Sequence, residues 1–339
     1  MPCAATPTYG RVMDRVAEAP AAVATTARAE VAALAAAFVT GGLLATQSRV
    51  NGALGARLDD GVLAALVSFA SGLLVATGAL AASRRAPAGL RAGVRALRDG
   101  AAPWWLLLGG AAGAVNVVSQ ALVVALIGVA LFTVGVVCGQ TVTSLLVDRH
   151  GLGNLPGRPV TPRRAVAAAV AIGAVLLAAL GDAAGTGSPW LLLVPCVAGA
   201  ALGWQAAVTG QVRIVTASAA SATWVNFAVG TLALTIATAV RLWSGGPPAQ
   251  WPTAPWLYLG GLIGVAVVAA QAVIVRVTGV FLMGLVVLCG QVLFAVAEDR
   301  WWPVHGGQAW AVTASSAALV VGAVLIAAGR RPEVRTRGS

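Results

Sequence analysis

Long apolar runs alternate with short polar stretches along nearly the whole chain. A helix crosses a ~30 Å hydrocarbon core in about 20 residues. Runs of that kind occur ten times: 31–50, 61–82, 104–127, 129–147, 163–181, 190–211, 218–242, 256–275, 279–297 and 309–329. Each is predicted as a helix, because backbone groups in lipid must find partners within their own segment. The ~10-residue alternating segments of a membrane barrel do not occur. Pro87, Pro103, Pro156, Pro162, Pro189, Pro247, Pro255 and Pro303 fall at run boundaries. Pro195 lies near the start of the sixth run and predicts a kink or a late helix start there.

Composition agrees. Of 339 residues, 59% are hydrophobic and only 10% charged, against ~25% charged in soluble domains. Too little charge exists to coat a water-facing surface of that size, and too much apolar content for disorder. The net charge is +11 and every basic residue is Arg. The arginines cluster between apolar runs, which points to membrane topology and not to a nucleic-acid partner. Cys3, Cys138, Cys196 and Cys289 have neither zinc-ligand nor redox spacing. Residues 1–30 lack a compact apolar stretch and read as a cytoplasmic tail, as do 330–339.

The arginines also set orientation. With a cytoplasmic N-terminus, the inner side holds 18 of the 22: Arg11, Arg15, Arg28, the cluster Arg84–Arg98, the group Arg149–Arg164, Arg213, Arg276 and the tail from Arg330. Arg49, Arg57, Arg241 and Arg300 are left outside. Both termini are therefore expected in the cytoplasm, which requires an even number of spans.

The chain also repeats itself. Gly109–Arg149 aligns without gaps on Gly260–Arg300, 151 residues later. Gly109, Gly110, Gly113, Gln120 and Gly128 fall on Gly260, Gly261, Gly264, Gln271 and Gly279. Cys138-Gly139-Gln140 recurs as Cys289-Gly290-Gln291, and Asp148-Arg149 as Asp299-Arg300. Upstream the spacing is 158 residues: Gln47 falls on Gln205, Gly52 on Gly210, Phe69 on Phe227 and Gly72 on Gly230. Apolar helices match Ala, Val and Leu by chance, but they do not readily align Gln, Cys and Asp-Arg in one register. The organisation expected is a first five-helix repeat at 31–181, a linker at 182–189 and a second at 190–329. Five is odd, so the second copy enters the membrane upside down. The predicted class is an all-α polytopic membrane protein with ten transmembrane helices as two inverted five-helix repeats, an architecture typical of secondary transporters.

These residues resemble the drug/metabolite transporter superfamily and, within it, the YdcZ-like (EamA-like) branch. The likeness rests on Gly41-Gly42-Leu43-Leu44-Ala45-Thr46-Gln47 leading to Asn51-Gly52-Ala53-Leu54-Gly55, and on Val67-Ser68-Phe69-Ala70-Ser71-Gly72. Pro103-Trp104-Trp105, the stretch from Gly139-Gln140 to Asp148, and Pro162-Arg163-Arg164 add to it. Many members of that branch look like one five-helix unit, whereas this chain looks like two units fused. The resemblance implies small-molecule transport at a bacterial inner membrane, often as export, and little about substrate.

Candidate chemistry lies in polar side chains within the spans, which are costly unless they meet a partner or a wet cavity. The substrate-binding candidates are Gln47, Asn51, Gln120 and Gln140 in the first repeat and Trp204, Gln205, Gln271 and Gln291 in the second. Amides both donate and accept hydrogen bonds, and a Trp face can stack on an apolar or cationic ligand. The bland alternative is interhelical bonding at ~0.6 kcal/mol each. Trp104, Trp105, Trp190, Trp251, Trp256, Trp301 and Trp302 sit at span ends, as an interfacial belt would. Gly109-x-x-x-Gly113 and Gly260-x-x-x-Gly264 suit tight packing inside each repeat or, less readily, a homodimer interface.

No carboxylate lies well inside a span; Glu298, at the end of the ninth, is a reserve candidate for the cavity mouth. A neutral or zwitterionic substrate is therefore favoured, with facilitated exchange as plausible as proton antiport. There is no Lys for a phosphate-binding loop, and His150 and His305 are isolated. No cofactor, metal or enzymatic activity is expected; the partners expected are a small-molecule substrate and the bilayer. Competing readings are a flippase or scramblase for lipid-linked substrates, with a groove open to lipid, and an assembly partner that transports nothing.

Overall fold

The computed structural model describes residues 27–150 and 189–302 apart from 247 and 249, with isolated positions in 162–173 and 318–322. The spans expected at 163–181 and 309–329, and both tails beyond this range, lie outside the continuously described residues. All elements among the described residues are helical. They are α1 (Ala27–Leu58), α2 (Gly61–Ala82), α3 (Ala86–Arg98), α4 (Leu108–His150), α5 (Leu193–Thr216), α6 (Ala219–Gly245) and α7 (Gly260–Trp301). Short 3-10 turns at Trp104–Leu107, Pro189–Leu192 and Pro255–Tyr258 lead into α4, α5 and α7. Five helical stretches are long and apolar enough to cross a membrane: Arg28–Leu58, Gly61–Ala82, Trp104–Val147, Leu193–Thr216 and Ala219–Trp243.

Local chemistry explains the boundaries. The Asp60 carboxylate caps α2 by accepting from the Val62 and Leu63 N–H groups at 3.1 and 3.0 Å. Ser218 caps α6 through the Ser221 N–H at 3.1 Å. Pro195 falls in the first turn of α5, where a missing N–H costs nothing; the late helix start is what the structure adopts. Most of the arginine cluster between the second and third spans, read above only for orientation, folds into α3. Its small residues Ala86, Gly89 and Gly93 are buried.

α4 has 43 residues, about 65 Å if straight and roughly twice a bilayer core. Its backbone leaves helical values at Gly128 (φ 83°, ψ 164°), a conformation open to glycine and strained for other residues. The two halves pack against α5 in opposite senses. Before the break, Gly109 faces Val208 and Gly113 faces Gln205; after it, Gly135 faces Pro195, Gly139 faces Cys196, and Gly203 faces Gln140 and Thr143. The chain therefore doubles back between these stretches. α7 does the same against α1: Gly260 faces Asn51 and Gly264 faces Gln47, but Gly290 faces Phe38, Gly42 faces Phe294, and Thr46 bonds Glu298.

These contacts are reciprocal. A Cβ on Gly41 would overlap the Val287 carbonyl, and one on the corresponding Gly199 would overlap that of Val136. Gly139 lies on the Cys196 carbonyl as Gly290 lies on that of Phe38. Gly72 receives the Phe227 ring and Gly230 the Phe69 ring. The glycine pairs at Gly109/Gly113 and Gly260/Gly264 thus pack between repeats, which corrects the expectation of packing inside each. A side chain would block the backbone approach that lets each repeat lean on the other.

The core follows. Val129, Leu131, Phe132 and Val136 after the break pack with Ala45, Leu192, Ala198 and Ala295. Phe69 and Phe227 meet at 5.3 Å between ring centroids in a second cluster. Leu74, Leu126, Leu232, Ile236, Val240 and Trp243 face outward, the inverse of a water-soluble surface and suited to lipid.

Candidate functional site

Gln47, Asn51 and Gln120 form one cluster of amides, and Gln205 and Asn226 form a second. In the first, fully buried Asn51 donates from Nδ2 to Gln120 Oε1 at 2.6 Å, tying α1 to α4. Its Oδ1 finds no donor among the described residues and lies over Gly260. Gln47, one turn earlier on α1, rests its Nε2 over Gly264, with Ser68 beside Gly260. In the second cluster, Gln205 donates from Nε2 to Asn226 Oδ1 at 3.0 Å while its amide covers Gly113. Gln205 Oε1 is also without a donor among the described residues. Gln47 and Gln205 therefore occupy corresponding places, each reaching onto the glycine pair of the other repeat. Leu106, Gly109, Gly110, Thr209 and Asn226 help line a narrow surface crevice beside the second cluster.

The other candidates sit elsewhere. Trp204 packs against Trp105 at 5.9 Å, in an apolar cluster with Val147 and Ala207. Gln140 and Gln291 lie where their helices cross the first helix of the other repeat: the Gln140 carbonyl faces Gly203 and the Gln291 N–H faces Gly41. Gln271 is half-buried on α7. The sequence thus singled out eight residues, and the structure places Gln47, Asn51 and Gln120 in one cluster and Gln205 in its counterpart.

A charged cluster emerges that the sequence reading had only touched through Glu298. Arg49 Nη2 donates to Asp299 Oδ1 at 2.7 Å, and Arg49 Nε lies 3.5 Å from Glu298 Oε2. Thr46 donates to Glu298 Oε1 at 2.6 Å. Asp299 also accepts from the N–H groups of Val129 and Ala130 at 3.0 and 2.7 Å. These donors open the helical segment after Gly128, where amides have no partner of their own. A carboxylate from α7 thus caps the second half of α4, and Arg49 from α1 locks that carboxylate in place. A Cβ on Gly128 would come within 2.7 Å of Asp299 Oδ2. The corresponding places on the other repeat are held by Trp204 (for Thr46), Ala207 (for Arg49) and Val147 (for Glu298). The Asp recurs as Asp148, but the Thr, Arg and Glu that surround Asp299 have no polar equivalents. The sequence signal was the Asp-Arg pair and a lone Arg in an apolar span; which helices meet there was not written in it.

Arg241 and Arg57 also find partners. Arg241 Nε lies 2.8 Å from Asp60 Oδ2. The Arg57 guanidinium stands 5.2 Å from the Trp256 ring centroid. Arg300 is exposed.

A family model described as "Putative inner membrane exporter, YdcZ" matches the chain twice, over residues 32–177 and 190–330. No curated protein matches the chain.

Proposed function

Because the chain belongs to the YdcZ family of inner-membrane exporters, in a form with two family units fused, we propose that it carries a small neutral or zwitterionic metabolite or drug by alternating access between its halves. The halves are taken as 31–181 and 190–329, joined by 182–189. The observation that carries this reading is the reciprocal exchange of contacts between α1–α7 and α5–α4. Two copies that lean on each other in the same way can trade conformations at similar energy, which gives one opening on each side. Helix directions support inversion. α2 returns antiparallel to α1 after the turn at Asp59-Asp60, and α6 runs antiparallel to α2, with Phe69 at Gly230 and Gly72 at Phe227. α5 precedes α6 through another tight turn, so α1 and α5 point opposite ways. The reversals in α4 and α7 support two crossings each, and 163–181 and 309–329 would complete ten. The arginine bias supports cytoplasmic termini.

In this reading the substrate passes between the amide clusters flanking Phe69 and Phe227. The Asn51 and Gln205 oxygens, without a donor among the described residues, offer it hydrogen bonds. The Thr46–Arg49–Glu298–Asp299 cluster closes the outer end, and the apolar set around Val147, Trp204 and Ala207 closes the inner one. Flux of labelled neutral and zwitterionic solutes in proteoliposomes tests the reading. Gln47→Ala and Gln205→Ala are expected to cut the rate severalfold in protein that still folds. Unchanged rates in both would remove the amides from the path, and no flux of any solute would remove the carrier reading.

A further inference from the structure

Among the described residues α3 has no α-helical counterpart in the second repeat. The segment linking α6 to α7 there is short, rich in Pro and Gly, and carries no Arg between 246 and 259. α3 lies where α2 and α5 end and α6 begins. Gly89 sits on the Thr216 carbonyl, a Cβ on Gly93 would meet Thr216 Cγ2 at 3.0 Å, and Ser221 Oγ donates to the Ala86 carbonyl at 2.8 Å. The helix is thus clamped across the span ends, at headgroup depth, with Trp104 exposed next to it. Its other face is basic. Arg84, Arg85, Arg91, Arg95 and Arg98 are all exposed, with Pro87, Ala88 and Val94 among them. Helical spacing puts Arg91, Arg95 and Arg98 on one stripe, and Arg84 and Arg85 lie just before the helix start. Among the described residues none of these arginines forms an ion pair with a carboxylate. Asp99 is the single acidic residue between 84 and 100.

We propose that this stripe is a docking surface for anionic phospholipid headgroups of the adjoining leaflet, of the phosphatidylglycerol kind. Planar guanidinium groups bind phosphate oxygens in pairs, and five of them with Asp99 as the single nearby acid in sequence match a row of headgroups. Because α3 grips the α5–α6 turn, bound lipid also braces the second repeat against the first. The inference needs only a chain that spans the membrane, and its test reads lipid and not flux.

The experiment is native mass spectrometry of the purified full chain released from mixed phosphatidylglycerol and phosphatidylcholine micelles. The wild type is expected to retain phosphatidylglycerol preferentially. Each basic residue near a membrane surface favours anionic lipid by about fivefold, so Arg91→Gln, Arg95→Gln and Arg98→Gln together are expected to lower retention on the order of 100-fold at low salt. The matching triple Lys variant should stay within severalfold of wild type. Equal retention by the Gln variant overturns the proposal. Should that variant not fold, wild type decides alone: retention must fall steeply as salt rises, and salt-independent retention overturns the proposal equally.

Discussion

Asp299→Asn tests the charged cluster most directly. The carboxylate serves three donors, Val129 N–H at 3.0 Å, Ala130 N–H at 2.7 Å and Arg49 Nη2 at 2.7 Å. A carboxamide has one acceptor oxygen, so at least one donor goes unpaired and the charge assistance to the others is lost. Loss of a helix cap costs about 1 kcal/mol, and loss of a hydrogen bond to a charged group about 1.5–3 kcal/mol. Arg49 keeps Glu298 at 3.5 Å, which offsets part of this. The net is about 2–3 kcal/mol, or on the order of 100-fold in the opening equilibrium of the α4 segment after Gly128. Hydrogen exchange of the reconstituted protein reads this as faster exchange in peptides covering 128–136, with α2 and α6 unchanged as internal controls. Arg49→Gln should give a smaller effect in the same peptides. The double variant should fall short of the sum, because both changes strike one network. Unchanged protection in 128–136 on Asp299→Asn, in folded protein, would refute the view that α7 caps α4 and closes this end.

Asp60→Ala removes the α2 cap and the ion pair with Arg241, which keeps its bond to the Gly246 carbonyl. Its carboxylate side chain is 2% exposed while Arg241 is 33% exposed, so water can recover part of the loss. A destabilisation of about 1.5–3 kcal/mol is expected in thermal unfolding, and an unshifted midpoint would count against both contacts. Gly139→Ala and Gly290→Ala each drive a methyl group into a carbonyl of the other repeat. Each is expected to cost about 1–3 kcal/mol by overpacking. The two should lower the unfolding midpoint alike, because their surroundings correspond; tolerance of one and collapse of the other would break the equivalence of the two interfaces.

The long apolar helices, the doubled unit and the family were legible in the sequence, since each rests on local or one-dimensional signals. An apolar run of membrane length needs no knowledge of its neighbours to be recognised. Gln, Cys and Asp-Arg recurring at a fixed spacing need only a comparison of the chain with itself. The amides Gln47, Asn51, Gln120 and Gln205 were visible for the same reason, as polar residues where lipid permits few. Tertiary structure decided what each of these touches. Nothing in the spacing of Gly109 and Gly113 says that they face Val208 and Gln205 of the other repeat and not a helix of their own. Nor could it show that Arg49 meets Asp299, 250 residues away, or that Asp299 caps a helix begun at Val129. Lipid rewards apolar side chains on every outward face alike, so helix neighbours in a membrane are chosen by backbone approach, shape and a few polar pairs. Those choices exist only once the helices stand side by side.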